Sequence, residues 1–417
     1  TYCISIWEID CWTNTNAVGR YGSGYDNANP NTMFRQWFQT NVDILDLKDA
    51  YNRNQQNVTW NWSSPDNASP IYWDNPYFMR YKSYESDSRN KFFGNITAEY
   101  KILNDLKLIG RAGADMSFDN QEERRSKNSV DLGRYLVNIN SYKEFNYDLI
   151  LDYSKDLTKN ITFNALIGSN IRRSFGTTFS AVTNTNLVVE GLYTIANSSA
   201  VPVAPVESYT PVGVNGVYAS AGVTLSKVIT LDASIRWDQS TTLPAANNTY
   251  YYPSVSAGYI FSNHIKQDWL NYGKLRASYA EVGNDAPALS VNNVYDKPTA
   301  YGNTALFSLP STKNNSLLKP ERTKSAELGL DMQFFNSLFG FELTYYNTRT
   351  FNQIIPIQVS GATGYTSKYI NSGEVKNNGI EIIANVTPIR KKDFVWKLNF
   401  NFSKNNNEVV SLFDANT

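Results

Sequence analysis

The feature that most limits what this chain can become is a period-two alternation of apolar and polar residues, repeated in twelve segments from residue 92 onward. In DFVWKLNFNFS, residues 393–403, Phe394, Trp396, Leu398, Phe400 and Phe402 alternate with Val395, Lys397, Asn399, Asn401 and Ser403. Successive side chains of a strand point to opposite faces, so each segment predicts a strand with one greasy and one wet face. The other eleven are 92–102, 106–118, 144–154, 161–171, 216–226, 229–238, 253–262, 273–282, 323–335, 339–350 and 378–388. Their apolar faces read, for example, Leu106, Leu108, Ala112, Ala114, Met116, Phe118 and Ile229, Leu231, Ala233, Ile235, Trp237. The opposite faces carry Lys107, Arg111, Asp115, Asp148, Asp152, Asp232, Arg236, Asp238, Lys274, Arg276, Glu327, Asp331, Glu381 and Asn385.

A soluble sandwich alternates too, with its apolar face as core. The connections separate the two cases. Every second one is tight (NDL, KDLTKN, KV, NSLF, IRKKD), with 263–272 the longer exception. The intervening ones, 119–143, 172–215, 239–252, 283–322 and 351–377, are long and polar. Short turns at one end, long loops at the other and segments near the ~9–11 residues of a tilted membrane strand describe a membrane barrel. Aromatics near the segment ends, among them Tyr153, Trp237, Phe261, Trp269, Phe334, Phe335, Phe339 and Trp396, suit interfacial girdles. Lipid offers polar groups no partners, so the backbone must pair strand to strand in a closed ring and the wet faces must line a lumen. The expected fold is therefore all-β, an antiparallel transmembrane β-barrel.

Composition narrows function by exclusion. Net charge is zero, against the basic excess of a nucleic-acid binder, and charged residues are 18% of the chain. A single histidine, His264, and no carboxylate pair in a catalytic setting argue against an enzyme, a metal centre or a bound cofactor. Cys3 and Cys11 are the two cysteines, read either as a pair or as two incidental thiols. No apolar run of 18 residues predicts a membrane helix, and TYCISIWEIDCW lacks the pattern of a signal peptide. For an exported protein this predicts an N-terminus further upstream. Residues 1–13 read as an atypical leader, 14–91 as an extracellular loop region leading into the barrel, and 92–417 as barrel strands and loops. Within the loop region a helix is expected over 31–51, capped by Asn31 or Thr32.

Six stretches, MFRQWFQTNVDILDLKDAY, DNPYFMRYKSYESDSRNKFFGNITAEYKI, GRAGADMSFDNQEERR, LRASYAEVGND, LLKPERTKSAELGLD and NSGEVKNNGIEIIANVTPI, occur in the order found in SusC/RagA-type TonB-linked outer-membrane proteins. The chain resembles that family over roughly residues 14–417. The resemblance implies a 22-stranded, plugged transporter barrel in the outer membrane of a Gram-negative bacterium. It implies a SusD-like lipoprotein partner and uptake of oligosaccharides or peptides driven through the TonB complex. It also implies that plug, TonB box and last strands are missing here, so that the chain is the middle of the barrel. A non-transporting binding or adhesion barrel is the alternative; finding no plug upstream would favour it.

Three stretches carry candidate residues. TWNWSSPDNASPIYWDNPYF (59–78) offers Trp60, Trp62, Tyr72, Trp73 and Tyr77, whose flat rings suit stacking on sugars or packing against peptides or the lid, while Asn and Asp supply hydrogen bonds. The same rings equally pin a long loop. Glu374 and Glu381 in NSGEVKNNGIEI, with Lys397, are expected on the lumen side facing the plug, or as turn and register residues. In LLKPERTKSAELGLD, Lys319-Pro320-Glu321 reads as a rigid pre-strand turn. The charge runs RNKFFG and QEERRSK lie at loop bases, as solvated charge or as contacts with anionic lipopolysaccharide, and GRYGSGYDN (19–27) lacks the context of a phosphate loop.

Overall fold

The computed structural model describes the backbone of residues 2–5 and 11–17 and all of residues 39–265 and 267–412. Twelve long strands dominate it. They are β1 (Tyr84–Leu103), β2 (Leu106–Arg125), β3 (Arg134–Thr158), β4 (Ile161–Val182), β5 (Val206–Leu225) and β6 (Ile229–Ser240). They continue as β7 (Thr249–Tyr259), β8 (Leu270–Asn284), β9 (Glu321–Phe334), β10 (Phe339–Phe351), β11 (Glu374–Arg390) and β12 (Val395–Ser411). Each pairs antiparallel with its sequence neighbours in one sheet. Short strands Tyr2–Ser5 and Cys11–Ala17 pair along the free edge of β1. Each of the twelve alternating segments lies wholly or almost wholly in one of the twelve strands, apart from residues at segment ends such as Phe394, which falls in the turn before β12.

The register turns the sequence alternation into surfaces. One transverse row joins Tyr153, Ala165, Ala221, Ala233, Val255, Tyr279 and Ala326 across β3 to β9. Another joins Leu225, Ile229, Tyr259, Leu275, Leu330, Leu343, Ile382 and Phe402. On the other face Lys107 opposes Asp152, Arg111 opposes Asp148 and Lys274 opposes Asp331, opposite charges in direct register. The apolar face is bare: Leu149 is 55% exposed, Leu231 49% and Leu328 57%. Returning one such side chain to water costs about 1.5–3 kcal/mol, so a few would cancel the 5–15 kcal/mol stability of an ordinary domain. The face therefore needs an apolar solvent, and no helix of the described residues is long and apolar enough to cross a membrane in the strands' place.

At the short-turn end Trp269 stacks on Phe334 at 5.8 Å between centroids, and Phe334 on Phe339 at 5.7 Å and Phe341 at 6.1 Å. These rings form the edge of the apolar band. At the other end the strands run further than the alternation does. The loop expected at 119–143 shrinks to 126–133, and that at 172–215 to 183–205, because β2 to β5 continue as ladders. The loops themselves are built. Ile354–Gln358 pairs with Ser367–Asn371, and Thr312–Lys313 pairs parallel with Ser367–Lys368. Leu243, Ala286 and Leu318 form a buried cluster under them, packed against Tyr250, Ile354 and Tyr369.

The expected helix differs from the structure. Helix α1 runs from Ile44 to Asn54, capped by Asp43, whose carboxylate accepts from the Leu45 amide. The proposed caps Asn31 and Thr32, the glycine-rich stretch 19–27 and the side chains of Cys3 and Cys11 lie outside the described residues. A second helix, α2 (Pro76–Lys82), follows the Asn75 cap.

Candidate functional site

Residues 39–83 form a unit held by buried carboxamides. Asn61 Oδ1 accepts from the amides of Ile71, Tyr72 and Trp73, while its Nδ2 donates to the Trp73 carbonyl. Asn75 caps α2 by accepting from the Tyr77 and Phe78 amides and donates to the carbonyls of Leu47 and Val58. Leu47, Ala50, Tyr51, Phe78 and Met79 are its buried apolar residues. Asp74 ties this unit to the β2–β3 loop: its carboxylate accepts from Asn57 Nδ2 at 2.7 Å, from the Val130 amide at 2.7 Å and from the Ser129 hydroxyl. Burial pushes the Asp74 carboxyl above the usual carboxylate range, against the opposing pull of those hydrogen bonds. Tyr193, from the β4–β5 loop, donates to the Lys82 carbonyl and meets Tyr84 edge-on at 6.3 Å. Burial first, then the neighbouring Tyr84, pushes its phenol up to about 12.

On this frame Trp62 and Tyr72 are exposed at the short hairpin 62–70, whereas Trp60, Trp73 and Tyr77 are half-buried. The five candidate aromatics thus divide into two that face outward and three that also pack the unit.

A second constellation, which the sequence reading did not single out, sits at the long-loop end of the polar face. Arg236 Nε donates to both carboxylate oxygens of Asp238, at 2.8 and 2.9 Å, its Nη2 reaches Asn170 at 3.3 Å, and its guanidinium lies 5.5 Å over the Tyr218 ring. Tyr250 and Tyr252 meet edge-on at 5.1 Å, and the Tyr252 hydroxyl donates to the Gly283 carbonyl. With Arg172, Asn284 and Asp285 these groups enclose a cavity of about 510 Å³. Two flat rings, a paired charge and the carboxamides of Asn170 and Asn284 are the equipment of a polar-ligand site. Among the described residues no group of three or more His, Cys, Asp or Glu converges as a metal would require.

The remaining candidates separate by register. Glu381 lies opposite Thr344 and Ser403 on the polar face, and Lys397 shares the parity of Asn399 and Asn401 there. Glu374 does not: counting by twos along β11 places it with Ile380 and Ile382, on the apolar face at the long-loop end, where it pairs with Arg349 at 3.4 Å. The ladder to β10 reaches Glu374 without a register shift, although the ladder to β12 shifts between Glu374 and Val375, so along β10 its side chain faces away from the expected lumen side.

Comparison with known proteins places this geometry. The family described as TonB dependent receptor-like, beta-barrel matches residues 12–416. The chain is 25% identical to the TonB-dependent receptor SusC of Bacteroides thetaiotaomicron over 380 residues, covering 85% of this chain and 37% of that protein. It is 25% identical to TonB-dependent receptor P26 of Formosa agariphila over 363 residues, 82% of this chain and 36% of the relative. Among solved structures, the RagAB peptide transporter superposes with a TM-score of 0.77 at 20% identity, over 86% of this chain and 40% of that one. The outer membrane transporter YddB of Escherichia coli gives 0.54 at 14% identity, over 78% and 43%. The chain spans between a third and two fifths of the length of the curated relatives named here.

Proposed function

Because the chain belongs to the TonB dependent receptor-like β-barrel family of the Gram-negative outer membrane, we propose that it is part of a nutrient importer. In this reading the whole protein takes up oligosaccharides or peptides, works with a SusD-like surface lipoprotein and is energised through the TonB complex. The observation that carries the reading is the polar face. Its rows of Lys, Arg, Asp, Glu, Ser and Asn run the height of the strands and end at the Arg236–Asp238–Tyr250–Tyr252 cavity. A wet wall suits a solvated passage, and a cavity at its loop end suits capture of a polar solute before passage. Glu381 and Lys397 serve in this reading as wall charges meeting the plug, and the exposed Trp62 and Tyr72 as contacts for the lid or ligand, with Trp60, Trp73 and Tyr77 backing them.

The test is uptake of fluorescent oligosaccharide and peptide libraries by cells expressing the whole protein, with and without TonB. Import of at least one library that vanishes without TonB is expected, with Trp62→Ala and Tyr72→Ala lowering it at unchanged surface expression. Surface binding with no TonB-dependent import would instead leave a binding or adhesion barrel.

A further inference from the structure

The face that meets lipid does not stay apolar to its top. Above the Ala326–Asn347–Asn378 row of β9 to β11, the next outward row is Lys324, Arg349 and Lys376, each in direct register with the next. Arg322 lies one step higher on the same face of β9, and Lys404 faces outward on β12 opposite Ile380. Like charges directly opposite each other in an antiparallel pair destabilise it. Three cations abreast are thus a local cost unless an anion sits across them. The carboxylates on this face do not cancel the row. Glu281, almost buried, takes Arg322 and approaches Lys324 at 3.6 Å, and Glu374 takes Arg349 at 3.4 Å. Glu408 stands opposite Lys376, which makes no ion pair among the described residues. Five cations face three carboxylates, and the side chains of Arg322, Lys324 and Arg349 stay about half exposed (52%, 42% and 50%).

The row sits at one defined height. Ten residues separate Lys324 from Phe334, Arg349 from Phe339 and Lys376 from Val386, the row level with the aromatic edge at the short-turn end. At ~3.3 Å per residue and a tilt near 45°, ten residues rise about 23 Å, close to the ~25 Å height of a barrel's apolar band. The cations therefore lie where the acyl region of the outer leaflet ends and its headgroups begin. Below them and to one side, from β5 across to β10, the apolar face is hollow. Ala233, Val255, Ala277, Ala326, Leu328 and Tyr345 line a groove of about 750 Å³, shallow because alanines sit between larger neighbours.

We propose that this rim is a docking site for the phosphorylated glycolipid of the outer leaflet, its phosphates held by Lys324, Arg349 and Lys376 and an acyl chain lying in the alanine-floored groove. The site rests on the outer-membrane location alone, so a failure of import leaves it untouched.

The test reconstitutes the whole protein in phosphatidylcholine nanodiscs and titrates diphosphorylated lipid A, reading binding by native mass spectrometry and thermal unfolding. Wild type is expected to retain the lipid, and Lys324→Gln/Arg349→Gln/Lys376→Gln to bind on the order of a hundredfold more weakly. The charge-keeping Lys324→Arg/Arg349→Lys/Lys376→Arg should bind like wild type, which separates lost charge from misfolding. Inorganic phosphate at matched concentration should neither stabilise the protein nor compete. Equal binding by the Gln variant, loss of binding in the charge-keeping variant, or full stabilisation by phosphate alone would each overturn the proposal.

Discussion

Asp74 shows how much one side chain holds here. It is almost fully buried, it accepts three hydrogen bonds from two different chain segments, and its carboxyl is held above the usual range by burial. A raised folded value means that the folded unit binds the proton more tightly than the unfolded chain does. The stabilisation is then full below the ordinary carboxylate range near 3.9 and is lost as pH rises through the raised value. Protection factors of residues 56–83, that is exchange rates corrected for the intrinsic pH dependence of amide exchange, should therefore rise on acidification from neutral pH, and Asp74→Asn should flatten that dependence while keeping the fold. Asn75→Ala should do worse, because it removes the α2 cap and strands the Leu47 and Val58 carbonyls; caps contribute about 1 kcal/mol and a buried orphan about 1–3. Faster exchange confined to this unit, with barrel strands unchanged, is the expected pattern. Some of this residue-level detail was legible in the sequence and some was not. The Asn75-Pro76 start of α2 is a readable cap signal, and counting back by twos from Ile380 already assigns Glu374 to the outward face. The Arg236–Asp238–Tyr250–Tyr252 cavity was not legible, because it joins side chains of neighbouring strands with loop residues through a register that periodicity alone does not fix.

At the scale of the element, periodicity located all twelve strands but ended them early. Alternation is written by contrast between lipid on one face and water on the other. Above the band both faces are wet, the contrast disappears, and the ladder continues unseen, as in β2 up to Arg125 and β3 back to Arg134. On the wet face some glycines sit against tight backbone spacing. A Cβ on Gly379 would come within 2.6 Å of the Lys404 carbonyl oxygen and 2.5 Å of Tyr346 Oη, whereas a Cβ on Gly110, on the apolar face, meets nothing within 4 Å. Gly379→Val should therefore strain the β11–β12 pair, lowering stability by about 1–3 kcal/mol, and Gly110→Val should be neutral or slightly stabilising in lipid. Unfolding temperature in matched detergent micelles distinguishes the two; equal losses would show that the asymmetry of the faces does not control packing.

The whole molecule is a wall of uneven height. β1 to β5 have 20, 20, 25, 22 and 20 residues, and β6 to β10 only 12, 11, 15, 14 and 13. Since every long strand pairs with its sequence neighbours, this topology follows from alternation and connection length alone, which is why the sequence is so informative about architecture and silent about height. At ~3.3 Å per residue and a tilt near 45°, the 25 residues of β3 rise about 58 Å, more than twice the ~25 Å apolar band. The upper half of the tall side must stand in water, even where its outward residues are apolar. Ile139 is the clearest case: it is 49% exposed, on the same face as Leu149 and Leu151, and 19 residues above the β3–β4 turn. Leu151 lies 7 residues above that turn, inside the band. With Cys3 and Cys11 replaced by Ser, a membrane-impermeant maleimide applied to intact cells should label Ile139→Cys at least tenfold faster than Leu151→Cys. Similar slow labelling at both positions would mean that the band extends up the tall strands, or that another surface covers them there; fast labelling at Ile139 alone places the lipid boundary between the two residues and fixes how far the tall wall stands clear of the membrane.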